Sequence, residues 1–279
     1  MSVIWDGAPP PEEPRIGPLG WVRIALRGIL ILVTILLGLT VLLPLRLIER
    51  PFFGAGRPLS PWVTQAVCRM SLLWMGLSYG RTGRPMTMPG AVVANHSSWL
   101  DIFVLNASDR VYFVSKSEVA AWPGIGLLAR VTGTVFIARD RREAKAQTAL
   151  FQARMEQGHR LLFFPEGTST DGLRVLPFKT TLFEAFFAPG LREVMWVQPV
   201  SVTYHAPNGA PVRLYGWWGE MEFGPHLLVT LAQPRQGRVE VVYHDPIRVA
   251  EMRDRKALAA AAQAAVLAGH GLAGVTHES

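Results

Sequence analysis

Two short clusters of polar residues contain the side chains of this sequence that are best suited to chemistry. The first cluster, NHSSWLD at residues 95–101, places His96 five residues before Asp101. A carboxylate that fixes the tautomer of a histidine and stabilises its imidazolium lets that histidine act as a general base. In the alternative interpretation, His96 caps a helix and Asp101 only interacts with the positive end of the helix dipole. These residues alone leave both interpretations open.

The second cluster, FFPEGTS at residues 163–169, combines a carboxylate, a glycine and two hydroxyls: Glu166, Gly167, Thr168 and Ser169. Such residues in a turn with free backbone amides are suited to holding a polar or phosphate-bearing headgroup. The alternative is an ordinary Pro-Glu-Gly turn. Each cluster follows an apolar run typical of a buried strand, and the ends of such strands commonly form the active sites of α/β proteins.

The elements that must position these clusters are predicted from the apolar runs of the sequence. Beyond residue 85, short apolar runs alternate with helix-like stretches, which is typical of an α/β fold. The predicted strands are residues 91–95, 111–114, 134–138, 160–164 and 194–203, followed by an alternating strand that contains Val239, Val241 and Tyr243. The predicted helices are residues 99–107, 119–131, 141–156, 178–188 and 254–267. The first five strands are too continuously apolar to be half-exposed and are predicted to be central.

The N-terminal part of the chain predicts a membrane-associated pair of helices. Residues 28–45 are uncharged, and as a helix they would extend about 27 Å, close to the hydrocarbon thickness of a bilayer. Residues 61–77 have the apolar spacing of an amphipathic helix, which is either an interfacial helix or a core helix of the main domain. Arginines flank the first segment almost equally on both sides, so charge does not determine its orientation.

The predicted fold class is therefore α/β, with a mixed, largely parallel central sheet flanked by helices and preceded by the two-helix segment. Four parts are predicted along the chain. They are a polar leader at residues 1–20, a membrane-associated helical hairpin at 21–80, an α/β domain at 85–250, and a C-terminal helix and tail at 251–279.

The composition limits the classes of protein that this chain can belong to. Hydrophobic residues make up 49% and charged residues 18% of the sequence, which excludes intrinsic disorder and favours contact with a membrane. The single cysteine, Cys68, excludes an intramolecular disulfide and a cysteine-based zinc cluster. The net charge of +7 favours anionic partners, but no lysine-rich tract with interleaved aromatics predicts nucleic-acid binding.

The order of the two clusters resembles the signature of a known enzyme family. HSSWLD followed by FPEGTS resembles the HxxxxD and FPEGT-type motifs of the glycerolipid acyltransferase superfamily, the lysophosphatidic acid acyltransferase group. Residues 133–139, GTVFIAR, and residues 197–200, VQPV, are similar to the second and fourth motifs of that superfamily. The stretches SKSEVAAWPGIGLLAR and EGTSTDGLRVLPFK are similar to the bacterial lyso-ornithine lipid acyltransferase branch.

The resemblance implies a role for each matching residue. His96 would deprotonate the free hydroxyl of a lysolipid, whose oxygen would attack an acyl thioester directly, and Asp101 would orient His96. Arg139, at the end of the second motif, would hold the anionic head of the acceptor. Glu166, Gly167 and Thr168 would shape the acceptor pocket.

Three further residues follow from the same resemblance. Lys116 and Lys179 fall where the family tends to place basic residues; they would meet anionic groups on either substrate, or are simply solvated. Ser169 stands where many lysophosphatidic acid acyltransferases have an arginine, which removes a positive charge from the phosphate pocket.

The resemblance also implies the substrates and the location of the protein. The favoured acceptor is lyso-ornithine lipid, with lysophosphatidic acid as the alternative, and the donor is acyl carrier protein or acyl-CoA. No cofactor and no metal are implied. The other partner is the bilayer, at the cytoplasmic membrane of a bacterium, with the catalytic domain facing the cytoplasm. A noncatalytic lipid-binding protein of the same fold is the alternative from another class.

Overall fold

The computed structural model describes residues 5–11, 14–54, 56–137 and 144–270, with the backbone alone for residues 144–148. Its α-helices are α1 (Pro18–Phe53), α2 (Ser60–Met75), α3 (Leu100–Ser108), α4 (Ile125–Thr132), α5 (Ala144–Glu156), α6 (Phe223–Ala232) and α7 (Arg255–Gly269). Its strands are β1 (Ser78–Thr82), β2 (Gly90–Ala94), β3 (Tyr112–Lys116), β4 (Val135–Ile137), β5 (Leu161–Phe163), β6 (Trp196–His205), β7 (Arg238–Tyr243) and β8 (Ile247–Arg248).

Within the described residues, the strands form one eight-stranded sheet with the order β1-β7-β6-β2-β5-β3-β4, and β8 pairs with the beginning of β6. The strands β6, β2, β5, β3 and β4 run parallel to their neighbours in this series, whereas β7 pairs antiparallel with β6. The sheet is therefore mixed and largely parallel, as the sequence predicts. The carboxyl ends of β2, β3 and β5 lie along one edge, where a parallel sheet presents its functional loops.

The residues of β2 alternate between two cores. Val92 and Ala94 pack with apolar residues of α2 and α3 on one face of the sheet. Ala91 and Val93 pack on the other face, against α7 and a 3₁₀ helix at Thr180–Phe187. Because both faces are covered, every residue of β2 is buried, which explains its uninterrupted apolar sequence.

The helix α1 is 36 residues long, about 54 Å, and packs along α2 and α6. Arg27 donates hydrogen bonds to the carbonyl oxygens of Leu231 and Gln233, each at 2.7 Å, and so caps the C-terminal end of α6. Much of the remaining surface of α1 is exposed and apolar, including Leu26, Ile29, Leu32, Leu36, Leu37, Val41, Leu47 and Ile48. Among the helices that the structure describes, α1 is the one long and apolar enough to cross a membrane.

Two predicted helices differ in the structure. The predicted helix at 119–131 is a 3₁₀ helix at Ser117–Ala121 followed by α4, because Pro123 holds Trp122 in an extended conformation with ψ 128°. The predicted helix at 178–188 is the 3₁₀ helix Thr180–Phe187. Three residues per turn place Phe183 and Phe186 on the same side, and both are buried in the core.

Two strands also correct the sequence-based predictions. The sequence predicts that β4 is central, but in the described part of the sheet it lies at the edge and pairs with β3 alone. A continuous apolar run predicts that other elements pack on both faces of a strand. It does not predict that another strand pairs with each of its two edges. The sequence does not predict β1, because SYGRT has no apolar pattern; the structure places its five residues on the exposed part of the sheet. The sheet therefore begins at Ser78, before residue 85, where the α/β domain was predicted to start.

Candidate active site

The His96 cluster lies where β2 leaves the sheet and α3 begins. Asn95 ends the strand by bonding β6 twice: its side-chain amide donates to the carbonyl of Val202, and its oxygen accepts from the Val202 N–H, both at 2.8 Å. The loop then folds around Asp101 in the first turn of α3, whose Oδ2 accepts hydrogen bonds from the N–H groups of Ser97 at 2.8 Å and Ser98 at 3.0 Å. Backbone amides thus fix the carboxylate before any substrate is present.

The His96 ring contacts this carboxylate directly. Its Nδ1 lies 2.7 Å from Asp101 Oδ2, and the Asp101 side chain is completely buried while 20% of the His96 side chain is exposed. On the other side, the Tyr204 hydroxyl of β6 donates to Asp101 Oδ1 at 2.7 Å. Burial and the adjacent Asp101 charge raise the pKa of Tyr204 well above its ordinary value, so the phenol remains a donor.

The plane of the imidazole is fixed by Phe164. The two rings stack with a centroid distance of 4.0 Å and an interplanar angle of 12°. With Nδ1 donating to Asp101, the lone pair of the neutral ring lies on Nε2, and no described residue forms a hydrogen bond with that atom. His96 therefore presents a partly exposed basic nitrogen, as a general base requires.

Glu166 is buried, and both oxygens of its carboxyl group bind backbone N–H groups. Its Oε1 accepts a hydrogen bond from the His96 N–H at 2.7 Å, and its Oε2 accepts one from the Leu176 N–H at 2.6 Å. Burial raises the pKa of Glu166 to about 8, against the lowering effect of those two backbone hydrogen bonds. The carboxyl group thus joins the His96 cluster to the loop after β5.

Gly167 forms the turn that follows, with φ +72°, and its N–H donates to the Phe164 carbonyl at 3.0 Å. A Cβ atom at Gly167 would lie 2.5 Å from Lys179 Nζ, so the ammonium group of Lys179 lies directly over this turn. Thr168 and Ser169 come next and are half-buried; Thr168 Oγ1 accepts a hydrogen bond from the Trp5 N–H at 3.4 Å. The N-terminal leader therefore reaches the predicted acceptor pocket.

The structure describes one of the two remaining predicted residues. Lys116 is half-buried at the carboxyl end of β3, two strands from β2 on the same edge of the sheet. Arg139 lies outside the described residues. The structure thus brings His96, Asp101 and Glu166 into direct contact, and Gly167 together with Lys179.

Two partners of the histidine pair were not predicted from the sequence. Tyr204 reaches Asp101 from 103 positions away, and Phe164 stacks on His96 from the end of β5. The one signal for Tyr204 is a phenol directly after the predicted strand at 194–203, and its partner cannot be inferred without the register of β6. Phe164 belongs to the second cluster, and the sequence predicts it as the last residue of the strand at 160–164.

The fold is similar to that of a solved acyltransferase. The structure is similar to that of the 1-acyl-sn-glycerophosphate acyltransferase PlsC from Thermotoga maritima, with a TM-score of 0.57 over 79% of this chain and 82% of that chain, at 20% identity. The fold is therefore that of a PlsC-like acyltransferase. A sequence model of the acyltransferase family matches residues 78–203.

Relatives at higher identity confirm the family. The lyso-ornithine lipid O-acyltransferase of Rhodobacter capsulatus is 57% identical over 268 residues, which are 96% of this chain and 97% of that protein. The lyso-ornithine lipid O-acyltransferase of Brucella abortus is 43% identical over 183 residues, 61% of this chain and 67% of that protein. The chain belongs to the acyltransferase family, as the HSSWLD and FPEGTS motifs predicted.

Proposed function

We propose that this chain transfers a fatty acyl group from an acyl thioester to the free hydroxyl of a lysolipid, with lyso-ornithine lipid as the favoured acceptor. The observation that carries the proposal is the 2.7 Å contact between His96 Nδ1 and Asp101 Oδ2, on a fully buried carboxylate. His96 Nε2 removes the proton of the acceptor hydroxyl as its oxygen attacks the thioester carbonyl. Collapse of the tetrahedral intermediate breaks the C–S bond, and the imidazolium returns the proton to the leaving thiolate.

The nucleophile in this mechanism belongs to the acceptor. Ser97 and Ser98, the hydroxyl side chains beside His96, are 1% and 0% exposed, so they do not share the open side of the imidazole. Direct attack by the lysolipid hydroxyl then completes the reaction without an acyl-enzyme.

The acceptor preference is supported by the relatives and by Ser169. Both relatives described above are named lyso-ornithine lipid O-acyltransferases. Ser169 supplies no charge where many phosphate-accepting family members have arginine, so the pocket is less suited to a phosphate monoester. Lys179, over the Gly167 turn, offers one cation to an anionic group of the acceptor.

The donor and the location follow from chemistry and from α1. The exposed apolar surface of α1 is suited to a bilayer, which also contains the acceptor. Acyl carrier protein and acyl-CoA are both polyanionic thioesters, and both suit a chain of net charge +7. We place the enzyme at the cytoplasmic membrane of a bacterium, with the catalytic domain on the cytoplasmic side where these donors occur.

The test is a matrix of two acceptors and two donors. The full chain, purified in detergent, is given lyso-ornithine lipid or lysophosphatidic acid together with acyl carrier protein thioester or acyl-CoA, and the diacyl product is quantified. The proposal predicts faster formation of diacyl ornithine lipid than of phosphatidic acid. Faster formation of phosphatidic acid would show that lysophosphatidic acid, the alternative acceptor, is the preferred substrate. Absence of thioester consumption would favour a noncatalytic lipid-binding protein and contradict the proposal.

A further inference from the structure

A cleft lies at the opposite edge of the sheet from His96. Its volume is about 550 Å³, and it is lined by the α1–α2 connection, the beginning of β3 and the turn before β5. Because β2, β3 and β5 are parallel, residues that precede β3 and β5 lie at the amino edge, whereas His96 follows β2 at the carboxyl edge. The length of the strands separates the two sites by about 15–20 Å.

The lining of this cleft is basic. Arg57, Arg110, His159 and Arg160 contribute to it, and no described carboxylate lies within 4.0 Å of the guanidinium of Arg57 or Arg110. The Arg110 guanidinium stacks on the ring of Trp62 at 3.9 Å. Arg57 is anchored by a 2.8 Å hydrogen bond from Nη1 to the Val131 carbonyl. Two guanidinium groups are thus held in place without a counter-ion.

The nearby carboxylates are already engaged with other groups. Asp109 Oδ1 accepts from Arg160 Nη2 at 2.7 Å and from the Arg110 N–H at 2.8 Å, while its Oδ2 is buried without a hydrogen-bond partner among the described residues. Glu49, buried at the end of α1, accepts from the Leu59 and Ser60 N–H groups at 2.6 and 2.9 Å and from Arg46 at 3.0 Å. Neither carboxylate neutralises Arg57 or Arg110, so the described part of the cleft has an excess of positive charge.

His159 is the second, independent sign of a ligand. It is 5% exposed, lines the cleft, and both of its ring nitrogens are buried without a hydrogen-bond partner among the described residues. A buried polar group without a partner is destabilising, and native structures normally satisfy such groups. Burial, followed by the charges of Arg154, Arg57 and Arg46, lowers the pKa of His159 to about 4, so its ring is neutral and has one N–H to donate.

The mouth of the cleft is apolar. Phe53 lines it, and Phe52, Leu59 and Trp62 beside it are exposed. These residues belong to the end of α1 and the beginning of α2, where the apolar surface of α1 ends. A basic floor below an aromatic and aliphatic rim matches a phosphate group attached to acyl chains better than a phosphate free in solution.

We propose that the cleft of Arg57, Arg110, His159 and Arg160 binds the phosphate group of an anionic phospholipid of the bilayer. The guanidinium groups of Arg57 and Arg110 and the His159 N–H donate to the phosphate oxygens, and Trp62 and Phe53 contact the acyl region. This lipid is a ligand that seats the chain on the membrane, separate from the acyl acceptor at His96. The proposal does not depend on the identity of that acceptor.

The test measures the thermal unfolding of the full chain in neutral detergent with added phosphatidylglycerol, phosphatidylcholine or inorganic phosphate. We expect phosphatidylglycerol at a hundredfold excess over its Kd to raise Tm by roughly 5–10 °C and phosphatidylcholine to have little effect. Equal shifts from the two lipids would overturn the proposal. An inorganic phosphate shift as large as that of phosphatidylglycerol would assign the cleft to a soluble phosphate and overturn the lipid assignment.

Substitutions in the cleft test whether the rise of Tm with phosphatidylglycerol depends on its side chains. Arg110→Gln removes a stacked, half-buried charge, and His159→Phe replaces the unpartnered ring nitrogens with an apolar ring of similar size, so neither is expected to unfold the chain. Each should reduce the phosphatidylglycerol shift by at least half, and Arg110→Lys should retain most of it. Arg253→Gln, which removes a charge from a side chain that is 87% exposed, should retain all of it, as should His96→Ala. A shift that persists in both cleft variants would contradict the proposal.

Discussion

The Tyr204 hydroxyl donates a hydrogen bond to Asp101 Oδ1 at 2.7 Å, while Oδ2 of the same carboxylate contacts His96 Nδ1 at 2.7 Å. The two oxygens are thus held from opposite sides, one by β6 and the other by the loop before α3. The orientation of the His96 ring therefore depends on the register between β2 and β6, which also fixes Asn95 against Val202.

Tyr204→Phe removes one donor to the Asp101 carboxylate and leaves the ring in place. We expect kcat to fall about tenfold with KM little changed, because Tyr204 positions Asp101 and does not reach the acceptor. The free energy of unfolding should decrease by about 1.5–3 kcal/mol, the range for a hydrogen bond to a charged group. Steady-state kinetics and denaturant unfolding measure both effects.

Tyr243→Phe is the matched control. It also removes a buried phenol hydrogen bond of 2.7 Å, the one with Ser108 Oγ, without touching Asp101. It should lower stability and leave kcat unchanged. Equal kinetic effects of the two substitutions would show that Tyr204 has no positioning role.

Glu166 makes stability depend on pH. Its folded pKa of about 8 lies above the ordinary value of 4.5, so the folded chain retains a proton that the unfolded chain releases. The stabilisation is complete below pH 4.5 and is lost as the pH rises through 8. In Glu166→Gln, which cannot titrate, Tm should decrease less between pH 5 and pH 8 than in the native chain.

The exposed Glu156 provides the control for this measurement, because Glu156→Gln should keep the native dependence of Tm on pH. If Tm changes equally with pH in the native chain and in Glu166→Gln, the buried carboxyl group does not retain its proton in the folded state. The comparison uses the change of Tm with pH and not Tm itself. A constant loss of stability from one hydrogen-bond acceptor in Glu166→Gln therefore does not affect the conclusion.

Gly167→Ala tests the turn beneath Lys179. The left-handed conformation alone disfavours alanine by about 1 kcal/mol, and the new methyl group would displace Lys179 Nζ, 2.5 Å from its position. Gly190→Ala is matched in conformation, with φ +85° and no atom within 4 Å. Chemical denaturation should show a larger loss for Gly167→Ala, and acyl transfer should decrease only in that variant. Full activity in Gly167→Ala would remove Lys179 from the site.

Ser169→Arg tests the acceptor preference. An arginine there adds a positive charge beside the proposed acceptor pocket, so transfer to lysophosphatidic acid should rise relative to lyso-ornithine lipid, by about tenfold in the ratio of kcat/KM values. Ser169→Gln, long and neutral, should leave the ratio near its native value. An unchanged ratio in Ser169→Arg would mean that residue 169 does not contact the acceptor head.

The His96 site could be predicted from the sequence to the extent that it is local. Five positions separate His96 from Asp101, and a strand followed by a helix turns the two side chains toward each other. Tyr204 could not be predicted, because its contact with Asp101 requires the register of β6 against β2. The burial of Glu166 could not be predicted either. The sequence of a turn is the same whether its glutamate side chain faces solvent or binds backbone amides.

The sheet shows the same limit. The apolar runs of β2, β5 and β6 predicted buried strands, because cover on both faces requires apolar residues at successive positions. β1 had no such signal, since pairing with β7 through backbone hydrogen bonds places no demand on its exposed side chains. The position of β4 at the edge follows from the order of the strands, which sequence patterning does not encode.

The most direct measurement is the rate of acyl transfer by His96→Ala, purified in detergent and compared with His205→Ala. His205 is also paired with a carboxylate, Glu240 at 3.2 Å, but it follows Tyr204 on β6, so its side chain points to the opposite face of the sheet from the Tyr204 ring. The proposed mechanism predicts that His96→Ala, while still folded, loses about 10²–10⁴-fold in kcat, the usual contribution of a general base, and that His205→Ala retains native activity. Native kcat in His96→Ala would contradict the assignment of His96 as the base.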